Sequence, residues 1–256
     1  MNARSDKRGF TFRTDADREN EKKKRPFWKE LPILIVTALV LSILLQTFVA
    51  RVFLIPSESM EPTLHGCNGC TGDRILVDKI TYRFGEPRPG DVLVFKGPDS
   101  WSIGYTSTRS DNVVVRGLQE VGSMVGLVAP DENDLVKRVI AVGGQTVECC
   151  DAQGRVMVNG VAIDEPYIQF DFPFEPGVLD CTTVPSSGRC FGPVTVPEGR
   201  LWMMGDNRSN SADSRVHVGD ENEGTIPVDN VVGKARLIIL PPSRWGVISD
   251  PQIVPQ

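Results

Sequence analysis

The chain has 256 residues, enough for one sizeable core or two small domains. Its charged fraction of 24% and hydrophobic fraction of 40% are ordinary for a folded protein. A net charge of −5 gives no case for a nucleic-acid partner, and 19 prolines with 24 glycines point away from long helices toward strands and turns.

The first 30 residues hold ten Lys/Arg and six Asp/Glu, a local charge of +4 that leaves −9 for the remainder. With almost no aliphatic residues, this stretch cannot bury a core and is expected to be a disordered basic tail. The cluster EKKKRPFWKE (Glu21–Glu30) leads straight into LPILIVTALVLSILLQTFVA (Leu31–Ala50), which carries no charge over twenty positions. Twenty helical residues at ~1.5 Å each match the ~30 Å hydrocarbon layer. Val52–Ile55 extend the apolar character past Arg51, so a transmembrane helix is expected over residues 31–53. A cleaved secretory signal fits less well, because the apolar run is long, a long tail precedes it and no small-x-small site comes after it.

Orientation is set by the basic residues. Lys22, Lys23, Lys24, Arg25 and Lys29 stand before the span, with only Arg51 and Arg74 close after it. The positive-inside rule then keeps the tail in the cytoplasm and exports residues 54–250 across the plasma membrane, making this a single-pass protein. All six cysteines lie in the exported part, where disulfides persist. Cys67 and Cys70 form CNGC, Cys149 and Cys150 are adjacent, and Cys181 and Cys190 are nine apart. Zinc binding by CNGC needs two further ligands that the spacing does not supply, and a redox CxxC lacks a thioredoxin-like context. Structural disulfides are therefore expected, with connectivity left open, and no metal site or cofactor is assigned.

The exported part reads as short strands separated by turns: RILVDKI (Arg74–Ile80), DVLVFK (Asp91–Lys96), DLVKRVIAVGG (Asp134–Gly144), RVMVNGVAI (Arg155–Ile163), RLWMMGD (Arg200–Asp206) and VVGKARLIIL (Val231–Leu240). VNG at Val158–Gly160 reads as a tight hairpin turn. No helix-period run stands out beyond the anchor. The expected fold is mainly β: a single membrane helix, then an antiparallel barrel- or sandwich-like domain. Gly97–Glu132 reads as an insertion, and about 149–197 as a smaller β cap carrying four cysteines.

Three stretches could carry chemistry. IPSESMEPTL (Ile55–Leu64) places two serines, Ser57 and Ser59, in a polar loop soon after the span. A serine nucleophile needs a base. The chain has two histidines, His65 and His217, and no G-x-S-x-G elbow, so a histidine-based hydrolase is weakly supported. Lysine is the alternative. If LVKRVIAV (Leu135–Val142) is a strand, Leu135, Lys137, Val139 and Ala141 share one face and Val136, Arg138, Ile140 and Val142 the other. A guanidinium keeps its proton, whereas an ammonium among apolar neighbours can lose it and act as a general base. The competing reading of Lys137 is a solvated or ion-paired side chain. The third stretch, MGDNRSNSADSR (Met204–Arg215), has the composition of a loop, and Asp213 and Arg215 could pair to hold Ser211.

Together, IPSESMEPTL, RPGDVLVFK (Arg88–Lys96), DLVKRVIAVGG and MGDNRSNSADSR, in that order after an N-terminal anchor, resemble the type I signal peptidases, membrane-anchored Ser/Lys serine endopeptidases. CNGC after the serine box resembles the actinobacterial branch. The resemblance implies Ser59 as nucleophile, Lys137 as general base and Ser57, with the Ser59 backbone N–H, as oxyanion hole. It implies that Ser211 orients the lysine and that Asp213 and Arg215 support it as an ion pair. Ile55, Pro56, Met60, Leu64, Val94 and Val136 would line substrate pockets for small residues of Ala-x-Ala type. The implied partners are secretory preproteins and the lipid bilayer; oligomeric state is left open. The single anchor and the cysteine-rich cap depart from some family members. Two other readings stand beside this one: a different membrane-anchored protease or self-processing enzyme of the same fold, and a catalytically inactive membrane-tethered β-domain that binds exported chains. A nucleophile ~30 Å or less from the end of the span, nine residues after Ala50, suits a substrate that is itself anchored in the bilayer.

Overall fold

The computed structural model describes residues 27–67, 70–101, 109–124 and 134–253. The expected basic tail thus lies, up to residue 26, outside the described residues, as does much of the insertion before residue 134.

The uncharged run forms helix α1 (Phe27–Phe48), whose 22 residues reach ~33 Å. It is apolar all round, and Ile33, Leu34, Ile35 and Val36 are exposed rather than packed, as a helix that meets lipid requires. The helix stops sooner than the apolar run suggests. From Ala50 the chain is extended, because β1 (Ala50–Leu54) finds a partner strand in β2 (Arg74–Asp78), with Val52 opposite Leu76. Backbone pairing across the sheet overrides the local apolar character of Val52–Leu54 here.

The remaining elements are the one-turn helix α2 (Thr81–Phe84), β3 (Val92–Lys96), α3 (Val113–Met124), β4 (Asp134–Val142), β5 (Thr146–Cys149), β6 (Val156–Val158), β7 (Val161–Ala162), β8 (Phe191–Thr195), β9 (Arg200–Met204), β10 (Ile226–Pro227), β11 (Val231–Leu240) and β12 (Gly246–Val247). All strand pairings are antiparallel, and the fold is mainly β. Helix α3 is an element that the sequence reading missed: its three leading valines favour a strand locally, yet the segment is helical, with Asn112 Oδ1 accepting from Val114 N–H at 3.0 Å as an N-terminal cap.

The larger sheet has the order β1-β2-β11-β3-β4-β9-β10, with β12 on β11. Among the described residues no pairing joins β1 to β10, so the sheet is open rather than a closed barrel. Its centre is β3 and β4, in register with Leu93 opposite Lys137 and Val94 opposite Val136. A bulge after Val139 breaks the two-residue alternation: Ile140 and Ala141, expected on opposite faces, both enter one apolar cluster with Trp202 and Met204.

The smaller sheet, β7-β6-β5-β8, overlaps the expected cap region but begins before it, since β5 starts at Thr146. The hairpin turn between β6 and β7 puts Asn159 and Gly160 at φ 53° and 76°, the left-handed pair that a two-residue turn demands. Val147, Val156 and Val158 of this sheet share the cluster of Ile140 and Trp202, and Phe191 stacks on Trp202 with ring centroids 5.4 Å apart. The two sheets therefore share a core.

Candidate active site

The serine loop is held from below and from both sides. Ile55 N–H donates to Asp73 O at 2.9 Å, turning the chain off the end of β1. Ser57, in extended backbone, opens a single 3-10 turn over Glu58–Met60. Met60 and Leu64 are fully buried in a cluster with Phe53, Ile75, Val77 and Val94, so the apolar residues of the loop act as its anchors. From above, Asn207 donates twice, from N–H to Ser59 O at 3.1 Å and from Nδ2 to Glu58 O at 3.2 Å, and Asn210 Nδ2 reaches Glu58 Oε2 at 3.0 Å.

Lys137 comes to this loop from the middle of β4. Its Nζ donates to Ser59 Oγ at 2.6 Å across 78 residues of sequence, and the side chain is only 4% exposed. Burial pushes its pKa down to about 8 from the ordinary 10.5; the Asp213 and Asp206 carboxylates pull it back upward, and Arg215 adds to the lowering. At pH 7, one unit below that value, about a tenth of molecules then hold a neutral amine. The hydroxyls of Ser57 and Ser59 lie 3.3 Å apart.

The neighbouring cation has the opposite fate. Arg138 and Asp206 are both fully buried and paired, with Nε to Oδ1 at 2.9 Å and Nη2 to Oδ2 at 2.7 Å. Nη1 satisfies the carbonyls of Gly90 and Ser249, and the guanidinium lies 3.9 Å from the Tyr167 ring centroid. Asp206 also accepts from Thr63 Oγ1 at 2.5 Å, so one carboxylate links β4, the loop after β9 and the serine loop. The sequence reading missed Thr63, Asp206, Asn207 and Asn210 as parts of the site. For Asp206, Asn207 and Asn210 the signal was the dense polar composition around Met204–Arg215, and for Thr63 its place in the serine box; neither says what those side chains face.

Further along the same loop, Asp213 and Arg215 form the expected pair, Nε to Oδ1 at 2.9 Å and Nη2 to Oδ2 at 2.8 Å. Burial alone would raise the Asp213 carboxyl, but hydrogen bonds and charge from Arg215, with the Gly205 N–H at 3.0 Å, hold it below the usual carboxylate range. Gly205 has a steric role. A Cβ there would collide with Ser211 Oγ and the Ser59 carbonyl, so only glycine lets these segments approach so closely. Ser211 departs from what the resemblance implies. Its Oγ is buried but has no hydrogen-bond partner, so the Lys137–Ser211 bond is not formed here. Lys137 directs its hydrogen bond to Ser59 instead.

A cavity of about 60 Å³ adjoins the dyad, lined by Phe53, Leu54, Ile55, Pro56, Ser57, Ser59, Met60, Val94, Asp134, Leu135, Val136 and Lys137. Five of the six expected pocket residues are there. Leu64 is not: it is 0% exposed in the core beneath the loop, and the wall includes Leu54 and Leu135 instead. Neither histidine takes part. His65 Nδ1 contacts Glu61 Oε1, and the His217 ring stacks on Trp101 at 4.4 Å. The six cysteines pair as neighbours in sequence: Cys67–Cys70, Cys149–Cys150 and Cys181–Cys190.

The profile of the family described as signal peptidase, peptidase S26, matches residues 28–240. The chain belongs to the S26 signal peptidases. It is 58% identical over 243 residues to the probable signal peptidase I of Mycobacterium leprae, covering 90% of this chain and 82% of that one. It is 55% identical over 256 residues to signal peptidase I of Mycobacterium tuberculosis, covering 93% and 85%. Both relatives are actinobacterial signal peptidases, in line with the CNGC motif. Among solved structures it is similar to a signal peptidase I from Enterococcus faecalis, with 22% identity, a TM-score of 0.33, and coverage of 59% of this chain and 97% of that one. Signal peptidase I is a membrane-anchored serine hydrolase, and this member carries one apolar helix of spanning length near its N-terminus.

Proposed function

We propose that this signal peptidase cleaves signal peptides from exported preproteins with Ser59 as nucleophile and Lys137 as general base. The 2.6 Å hydrogen bond from the buried Lys137 amine to Ser59 Oγ carries the reading. The neutral amine takes the Oγ proton as Ser59 attacks the carbonyl carbon of the scissile bond. The carbonyl oxygen becomes an oxyanion beside the Ser57 hydroxyl and the Ser59 N–H. Lys137, now an ammonium, returns the proton to the departing amine, leaving an acyl-enzyme. Water then attacks the ester, losing a proton to the neutral Lys137 amine, which passes it to Ser59 Oγ as the acyl–oxygen bond breaks and the acid product leaves.

The small apolar cavity beside Ser59 favours small side chains on the acyl side of the bond, and the substrate runs extended along the exposed strand residues. The catalytic part, residues 54–250 with a cap at about 149–197, stands on the extracytoplasmic side, with the basic tail in the cytoplasm; the Lys/Arg bias before α1 supports that orientation. No observation favours the inactive alternative.

The test is cleavage of a preprotein with an Ala-x-Ala site in detergent micelles. Lys137→Ala should lose on the order of 10⁴-fold or more in kcat with an unchanged circular dichroism spectrum. Full activity in that variant would overturn the dyad. The pH profile gives a second check. The base works unprotonated, so kcat/KM should fall about tenfold per unit below pH about 8 and level off above it.

A further inference from the structure

The CNGC pair does not stand alone in the fold. The ligand atoms of His65, Cys67 and Cys70 all lie within 4.8 Å of one another, and the imidazole Nδ1 is in contact with the Glu61 carboxylate. We propose that His65, Cys67 and Cys70 form a Zn2+ site, with Glu61 orienting the imidazole, that opens when the Cys67–Cys70 disulfide is reduced. CxxC by itself lacks two ligands. The fold brings one of them, His65, from upstream in the spacing H-x-C-x2-C, and leaves the fourth position to solvent.

The donors suit this ion. Two thiolates and one imidazole, with solvent in the fourth position, make a donor set of the softness that selects Zn2+ over Mg2+ or Ca2+. The backbone under the site is fixed. His65 N–H donates to Asp73 Oδ2 at 2.8 Å, Asp73 N–H returns to His65 O at 2.7 Å, and Arg244 holds the Asp73 carboxylate at 2.8 Å. His65 is therefore in place before any metal arrives, and the cysteines are partly or fully exposed. Glu61 closes the 3-10 turn that bears Ser59, its N–H donating to Glu58 O at 3.0 Å, so a metal here would tie the catalytic loop to the CNGC segment.

The chemistry balances. An external dithiol transfers two electrons and two protons to the disulfide, giving the Cys67 and Cys70 thiols and its own disulfide. Zn2+ then displaces both thiol protons to solvent, and transfer of two electrons from the thiolates to an external disulfide re-forms the Cys67–Cys70 bond and expels the ion.

The test uses the full chain in detergent, reduced with a phosphine, with Co2+ as spectroscopic probe and Zn2+ as competitor. The reduced protein should bind one Co2+ with a sulfur-to-cobalt charge-transfer band and the strong visible absorption of a tetrahedral site, both removed by Zn2+. The oxidised protein should show neither. The sulfurs of Cys150, Cys181 and Cys190 also lie within 4.8 Å of one another, so variants must separate the two clusters. Cys181→Ser/Cys190→Ser should keep the band, and Cys67→Ser/Cys70→Ser should lose it. His65→Ala and Glu61→Gln retain all cysteines, and each should weaken binding at least ~10-fold. A band that survives in Cys67→Ser/Cys70→Ser, equal binding by the oxidised protein, no band in the reduced wild type, or unchanged affinity in both His65→Ala and Glu61→Gln would overturn the proposal.

Discussion

The centre of the larger sheet and the smaller β5–β8 sheet are stabilised by different means. Around the dyad, buried charges join segments far apart in the chain: Arg138 pairs with Asp206 across 68 residues, and Asp206 in turn holds Thr63. In the cap region, covalent links join near neighbours, one or nine residues apart, and Phe170, Val178 and Val184 remain exposed. A long-range charge network decides where two distant side chains meet. A short-range disulfide only closes its own loop. The proposed Ser59–Lys137 dyad depends on the first kind of constraint, because the 2.6 Å contact spans 78 residues.

Three substitutions break or sharpen this contrast. The largest effect belongs to the buried pair. Arg138→Leu leaves Asp206 without its partner in the core and should destabilise the fold by about 3–5 kcal/mol, read by chemical denaturation. Activity should fall with it, since the serine loop loses its tether through Thr63. A loss no greater than that of the disulfide variant below would erase the distinction. Next comes Ser57→Ala. With the scaffold intact, kcat should fall about 10²–10³-fold at nearly constant KM, if the hydroxyl donates to the oxyanion. An unchanged kcat would remove Ser57 from the oxyanion hole. The smallest effect is that of Cys181→Ser/Cys190→Ser, where opening a short loop should destabilise by about 2–3 kcal/mol. Preprotein kcat should stay within about twofold of wild type, because these residues do not touch the dyad.

Much of the fold was readable in the sequence, and the reasons are local. Strands β2, β3, β4, β9 and β11 coincide with β-rich runs bounded by glycine or proline, and the Asn159–Gly160 turn is written in its dipeptide. The misses share one cause. Val52 and Phe53, expected at the end of the apolar helix, pair with β2, and the expected insertion Gly97–Glu132, read without a helix, contains α3 despite that helix's leading valines. In both cases neighbours distant in sequence or cap contacts outweigh propensity. The same holds within the site. Leu64 has the right apolar character for a pocket wall, yet depth beneath the loop puts it in the core. Ser211 sits in the right motif, yet its hydroxyl makes no bond to Lys137.

Local pattern is enough for the membrane-length helix, the β character of the chain beyond that helix, the paired serines in a tight loop and a lysine in an apolar strand. Each is written in composition or periodicity over at most twenty or so residues. The rest came from contacts in three dimensions: Lys137 and not Arg138 faces Ser59, Asp206 neutralises Arg138 while Asp213 is taken up by Arg215, and His65 stands beside Cys67 and Cys70. Those outcomes depend on strand register and on which charges are buried together. Both are set by contacts between segments far apart in the chain, which no local pattern encodes.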